Sequence, residues 1–177
     1  MTDKSKKLLG ITLGVIIVVV VLLLLYDYGT YQEGSVSDIA FPAEVQGLKL
    51  GQVISGPRAI AMISKLHGTD IVIDQGYIAN YGNSRSRIMV WVSESGSKKE
   101  ASQLFAVMDR KISAAASSVN APFKERRVFV KNGKRVIAVK GMGMENYYYK
   151  SGVEVYWIAA AGIDPISALD EIMKKLP

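Results

Sequence analysis

The chain contains one histidine, His67, which is the first residue to consider for acid–base or metal chemistry. The ordinary pKa of histidine lies near neutrality, so this side chain can serve as a general base or a metal ligand. A metal would need further ligands. Asp70 and Asp74 could supply oxygen atoms, but the sequence around them lacks the glycine and glutamate of a calcium loop. The absence of cysteine excludes thiolate ligands and disulfides. We interpret His67 as ending a helix and hydrogen-bonding its last carbonyl groups, and we predict no metal site.

Serine beside lysine is the second pattern with catalytic potential, because Ser95 and Ser97 precede Lys98 and Lys99. A lysine acts as a base only when burial lowers its pKa. Ser97-x-x-Glu100 instead matches a capping box, which places both lysines in an exposed first helical turn. We therefore predict no catalytic residue and no enzymatic activity. An envelope hydrolase that uses His67, an acid and a serine stays as an alternative.

Glycine-rich segments do not match a phosphate-binding loop. The sequence has no P-loop motif. Gly141-Met-Gly-Met144 lacks the third glycine and the following helix of a dinucleotide fingerprint. We therefore predict no cofactor.

Basic residues are concentrated around a predicted hairpin at Asn132-Gly133, where both turn positions favour positive φ. From residue 46 to 177 the sequence has nineteen Lys and Arg against eleven Asp and Glu. Alternate residues of the hairpin strands would form one basic surface, which could bind anionic head groups, an envelope polymer or an acidic protein. An ordinary solvated strand surface is the alternative. The candidate basic binding residues are Arg126, Arg127, Lys131, Lys134 and Arg135.

Aromatic residues are concentrated later, in two predicted strands around residues 146–150 and 153–159. Because successive strand residues point to opposite faces, one set should enter the core while the other could remain exposed. An exposed set would form an aromatic surface for a partner or an apolar ligand, whereas core packing and cross-strand pairs are the alternative. The candidate residues of this aromatic surface are Tyr147, Tyr149 and Tyr156.

An uncharged run from Leu8 to Tyr26 predicts a transmembrane helix, since about 20 apolar residues cross a bilayer. A cleavable signal peptide is the alternative, but its apolar region is usually roughly 7–15 residues long. No small-residue cleavage signal follows Leu25, and Tyr26 and Tyr28 suit an interfacial anchor. We therefore predict a signal-anchor at residues 8–26 that contacts membrane lipid.

Charges on either side of this run predict its orientation. Lys4, Lys6 and Lys7 precede it, and no lysine or arginine occurs from residue 27 to 45. Basic residues stay on the cytoplasmic side, so residues 1–7 should be a cytoplasmic tail. The expected product is a single-pass cell-membrane protein with an extracytoplasmic C-terminal domain. Nucleic acid is not an expected partner there.

Residues 27–45 are rich in Gly, Ser and acidic side chains and predict a stalk, which leaves residues 46–177 as one domain. Hydrophobic periodicity predicts strands near residues 50–55, 70–81, 87–93, 126–130, 135–139, 146–150 and 153–159. Helices are expected to begin near Pro57, Ser97 and Asp164. Gly76 is expected to mark a bulge in its strand.

This order predicts an α+β domain, an antiparallel sheet with helices on one face. Its first six elements match a ferredoxin-like βαββαβ arrangement, followed by a hairpin and a C-terminal helix. Two small sheets are the alternative. The expected function is a non-enzymatic interaction domain, an accessory subunit of a membrane or envelope complex with a protein partner. A ligand-binding or sensory domain with a pocket between sheet and helices is the other candidate.

Overall fold

A computed structural model describes residues 39–67, 71–83, 85–115 and 121–176, so the predicted tail, the anchor and residues 27–38 lie outside it. One antiparallel sheet and three helices make an α+β fold within the described part. The elements in chain order are β1 (Glu44–Val45), β2 (Leu48–Ser55), α1 (Gly56–His67), β3 (Gln75–Gly82), β4 (Arg87–Glu94), α2 (Lys98–Ala115), β5 (Phe123–Lys131), β6 (Lys134–Gly141), β7 (Met144–Ser151), β8 (Glu154–Ala161) and α3 (Pro165–Lys175).

Local sequence signals set the start of two helices and one hairpin. The Ser97 hydroxyl accepts a hydrogen bond from the Glu100 backbone N–H at 3.2 Å, which caps α2. The Asp164 carboxylate accepts two backbone N–H groups of α3 at 3.3 Å each. Asn132 and Gly133 adopt φ values of 50° and 71° between β5 and β6. These predicted features are confirmed.

The sheet has the strand order β1-β2-β3-β4-β8-β7-β6-β5, and every neighbouring pair is antiparallel. In a ferredoxin-like arrangement the two strands joined by a helix are parallel and a third strand lies between them, so that part of the prediction is wrong. Here α1 joins the antiparallel neighbours β2 and β3, and α2 carries the chain from central β4 to the edge strand β5. The chain then returns through three hairpins until β8 pairs with β4. The alternative of two small sheets is also wrong.

Both faces of the sheet are covered, which corrects the expectation of helices on one face. The α1 and α2 helices pack with Ile78, Ile137 and Tyr148 on one face. The α3 helix packs with Ala79 and other residues on the opposite face. Residues 76–79, 136–139 and 146–149 are therefore continuously buried rather than alternately exposed.

The folded domain begins before Gln46, inside the segment predicted as a stalk. Val45 of β1 is fully buried, and Ile39 and Phe41 are partly buried against the same core. Residues 39–45 thus belong to the domain, because their apolar side chains cover the end of the sheet beside α3. The rest of the predicted stalk lies outside the described residues.

Gly76 does not form a bulge, because β3 and β4 pair without a break from Gln75↔Glu94 to Gly82↔Arg87. A Cβ at Gly76 would lie 3.0 Å from the Ile60 backbone nitrogen. The glycine instead lets α1 approach the sheet closely.

Candidate functional site

Two of the predicted basic-surface residues, Arg126 and Arg135, point toward α2, where both form ion pairs with Asp109. Arg126 Nη2 lies 2.8 Å from Asp109 Oδ1, and Arg135 Nη2 lies 3.3 Å from Oδ2. The Tyr148 hydroxyl donates to Oδ1 at 2.9 Å. Burial acts to raise the pKa of Asp109, but the hydrogen bonds from Arg126, Tyr148 and Arg135 outweigh it and leave that pKa below its ordinary value.

The other three basic-surface residues point toward the α3 face. Arg126 and Arg127 lie on opposite faces of β5 because successive strand residues point to opposite faces. Arg127 pairs with Glu145 at 3.2 Å and Lys131 pairs with Asp170 at 3.1 Å. Lys134 Nζ lies 5.8 Å from the centre of the Tyr149 ring. The five residues therefore do not form one basic surface, and that prediction is wrong.

The predicted aromatic surface is wrong as well, because Tyr147, Tyr149 and Tyr156 are buried in the core beneath α3. The rings of Tyr149 and Tyr156 stack with centroids 4.8 Å apart. Burial raises the pKa of Tyr147 to about 12 and raises the pKa of Tyr149 and Tyr156 further. The sequence pattern identified the strand face correctly, but α3 covers the face that was expected to remain open.

Two candidate catalytic residues, His67 and Ser97, lie at helix ends. His67 is the last residue of α1, as interpreted from the sequence, and Ser97 caps α2. Asp70 lies outside the described residues. Within the described ranges, no group of three or more His, Cys, Asp or Glu side chains is placed to hold a metal ion.

A concave apolar site lies on the face of the sheet that α1 and α2 cover, between the second halves of these two helices. We call it the α1–α2 pocket; its cavity volume is about 310 Å³, at the lower end of the roughly 300–1,000 Å³ found for ligand sites. Four of the seven methionines and both tryptophans of the chain line it. These residues are Met89, Trp91, Met108, Met142, Met144 and Trp157.

Trp91 and Trp157 form the floor of the pocket, and the row of aromatic rings continues beside it to Tyr148. Trp91 of β4 pairs directly with Trp157 of β8, which pairs with Tyr148 of β7. The rings of Trp157 and Tyr148 are parallel with centroids 5.1 Å apart, and Phe123 meets Trp157 edge-on at 5.3 Å. This stacking fixes the position of the Trp157 ring.

Asn146 is a buried polar residue in the pocket wall, and hydrogen bonds engage both ends of its side-chain amide. Its Nδ2 donates to the carbonyl oxygens of Gly141 and Met144 at 3.2 and 3.0 Å, while its Oδ1 accepts from Trp157 Nε1 at 3.1 Å. Asn146 therefore braces the β6–β7 turn and orients the indole. The surface that remains for a ligand is mainly apolar.

Two exposed apolar residues stand at the mouth of the pocket. Leu66 of α1 is 61% exposed, and Met142 of the β6–β7 turn is 64% exposed, yet both line the cavity. Exposed apolar groups beside an apolar concavity are typical of a binding site.

A wider depression of about 640 Å³ lies beside the β6–β7 turn on the α3 side. Three of its four charged residues pair with one another, because Lys140 Nζ lies 2.6 Å from Glu125 and 3.9 Å from Glu145. It has neither the aromatic floor nor the apolar enclosure of the α1–α2 pocket, so it is the weaker candidate.

Sequence reasoning anticipated a pocket between sheet and helices but named none of its residues. The lining comes from α1, α2, four strands and a turn, so no single segment carries the signal. Met89, Trp91 and Ser93 alternate along β4 and all face the pocket. The alternation of two large apolar side chains, Met89 and Trp91, is the local pattern that could have predicted the pocket.

Comparisons with protein-family models, curated proteins and solved structures find no match for this chain. Among the helices that the structure describes, none is long and apolar enough to cross a membrane.

Proposed function

We propose that this domain is a non-enzymatic binding domain that takes an apolar small molecule in the α1–α2 pocket. The predicted anchor at residues 8–26 would hold it at a membrane, with the domain outside the cytoplasm. The observation that carries the proposal is the pocket itself, a cavity of about 310 Å³ lined by both tryptophans and four methionines.

The character of the lining supports a flexible, apolar ligand. Methionine side chains are unbranched and polarizable, so they adapt to ligands of different shape. The aromatic floor provides a rigid surface against which an aliphatic chain can pack. Transfer of such a chain from water contributes about 0.8 kcal/mol for each buried methylene group.

Tryptophan emission provides a direct test on the full-length protein. Both tryptophans of the chain line the pocket, so the emission reports on that site alone when the nanodisc scaffold protein is a tryptophan-free variant. We expect 9,10-dibromostearate to quench the emission of protein in phosphatidylcholine nanodiscs in a saturable way. Stearate without bromine should compete for the same site.

Two matched substitutions on α1 locate the quenching. Leu66 lines the pocket and is 61% exposed. Met62 lies on the same helix and is 41% exposed, but it does not line the pocket. Leu66→Glu should weaken saturable quenching because it places a carboxylate at the mouth, and Met62→Glu should leave quenching unchanged. Equal quenching of both variants and the parent would refute the proposal.

A second candidate function, protein interaction in a membrane complex, is favoured by the edge strand β5. This strand ends the sheet, and Val130 on it is 74% exposed. An open edge can accept a further strand from a partner chain. The ion pairs of the neighbouring arginines support a protein edge rather than an anionic surface.

Gentle detergent extraction of the full-length protein tests this candidate. We expect Val130→Glu to lose a stoichiometric companion that the parent retains. Val72, which is 90% exposed and precedes β3, provides the control, since Val72→Glu should keep the companion. Retention by both variants would exclude the β5 edge as the contact.

A further inference from the structure

We propose that the ligand of the α1–α2 pocket is a single-chain amphiphile with an anionic head group, which pairs with Lys111 while its tail lies over the tryptophans. This inference rests on the proposed function and assigns its ligand class. Among the described residues that line the pocket, Lys111 is the one that carries a formal charge.

The interior of the pocket suits a tail rather than a polar group. The amide of Asn146 is engaged at both ends, and the Trp157 indole N–H is bonded to it. A ligand carbonyl or hydroxyl placed there would lose its hydrogen bonds to water without full replacement. Aliphatic carbon forms no hydrogen bonds to water that it could lose, so the apolar part of the ligand lies deepest in the pocket.

The position of Lys111 suits a head group at the edge of the pocket. It lies on α2 one turn after Met108 and directly before Ile112, and all three line the cavity. A lysine can run its methylene stem along an apolar wall while its ammonium group remains in water. An anion at this point would gain the ammonium without being buried.

The surrounding charges favour an anion over a cation. The α1 sequence contains Arg58 and Lys65 and no acidic residue. On α2, the Asp109 carboxylate is held by Arg126 and Arg135, on the side of the helix that faces β5 and β6. Together the two helices that form the pocket carry six Lys and Arg against two Asp and Glu, so their net charge is positive.

Head-group chemistry can be tested by comparing two brominated ligands of equal length. We expect 9,10-dibromostearate to quench the full-length protein in phosphatidylcholine nanodiscs at lower concentration than 9,10-dibromo-octadecanol. Lys111→Ala should weaken binding of the carboxylate ligand by up to about fivefold and leave binding of the alcohol unchanged, as for one exposed ion pair. Lys111→Arg should restore binding of 9,10-dibromostearate.

Arg110 provides the matched control, because it is the exposed neighbour of Lys111 and does not line the pocket. Arg110→Ala should leave both ligands unchanged. If both ligands bind the parent equally and Lys111→Ala changes neither, the head-group inference is overturned while the proposed function stands. If neither ligand quenches in a saturable way, the proposed function fails with it.

Discussion

At the scale of single residues, the adjacent tyrosines of β7 show how a one-residue step determines an environment. Tyr148 faces α2, where its hydroxyl donates to Asp109. Tyr149 faces α3, where its buried hydroxyl has no hydrogen-bond partner among the described residues. The same atom therefore stabilises the fold at one position and costs free energy at the next.

The same substitution at these two positions should have opposite effects. Tyr148→Phe should lower the free energy of unfolding by about 1–2 kcal/mol, because Asp109 loses a hydrogen bond. Tyr149→Phe should leave it unchanged or raise it by up to about 1 kcal/mol, because it removes an unpaired buried hydroxyl. Thermal melting of the full-length protein in nanodiscs measures both. A loss of stability with Tyr149→Phe would show that its hydroxyl has a partner, such as a buried water.

Met142 combines backbone strain with a position at the mouth of the pocket. Its φ of 54°, followed by Gly143 at 72°, is almost the same as the 50° and 71° of Asn132 and Gly133 in the neighbouring hairpin. Asparagine tolerates this left-handed conformation, whereas an unbranched apolar residue pays about 1 kcal/mol for it. Strain of this kind is often retained where the side chain has a function.

Met142→Asn should therefore raise stability and weaken ligand binding together. We expect the free energy of unfolding to rise by roughly 0.5–1 kcal/mol, since the turn gains a favoured residue. Saturable quenching by 9,10-dibromostearate should weaken several-fold because a lining side chain is lost. Asn132→Met is the control: it should lower stability by a similar amount and leave binding unchanged. If Met142→Asn binds the ligand as tightly as the parent, Met142 has no part in the site.

The sequence predicts that the tyrosines of β7 and the arginines of β5 lie on strands, but it does not predict which side chains they contact. Arg126 and Arg127 point to opposite faces because successive strand residues alternate, and the sequence already implies that step. The carboxylates that pair with the basic residues, Asp109 and Asp170, come from helices distant in sequence. Long-range pairing of this kind leaves no local pattern.

At the scale of elements, Gly76 shows that a single missing side chain sets the distance between α1 and the sheet. A Cβ there would lie 3.0 Å from the Ile60 nitrogen and 3.1 Å from Ile63 Cδ1. Ile63 lines the pocket, so this contact also fixes one of its walls.

Gly76→Ala should lower the free energy of unfolding by about 1–3 kcal/mol, as expected for overpacking against a backbone. Gly51→Ala is the matched strand control, because its Cβ would meet only the Asn80 carbonyl oxygen at 3.4 Å. That variant should melt at or slightly above the parent temperature. Equal melting temperatures for both variants would mean that α1 moves freely away from β3.

Element positions were predictable because caps, turns and periodicity are local. The arrangement of the elements was not, because the pairing of β4 with β8 joins residues 60 to 74 positions apart. Two-sided coverage was missed for the same reason. The alternation on β7 and β8 fits a sheet covered on either one face or both, and only the docking of α3 decides between them.

At the scale of the whole molecule, a sheet covered on both faces leaves its main apolar concavity between α1 and α2. The α3 face is closed by stacked tyrosines, whereas the other face keeps a cavity with an aromatic floor. The α1–α2 pocket is therefore the binding site that we propose.

Photo-crosslinking of the full-length protein in its native membrane tests this claim most directly. The probe is a fatty acid that carries an alkyl diazirine and a terminal alkyne, and mass spectrometry locates the crosslinked peptides. We predict crosslinks on β4, β8, the β6–β7 turn and the second half of α2, reduced by excess stearate. Crosslinks confined to residues 8–26 or to the α3 face would contradict the account.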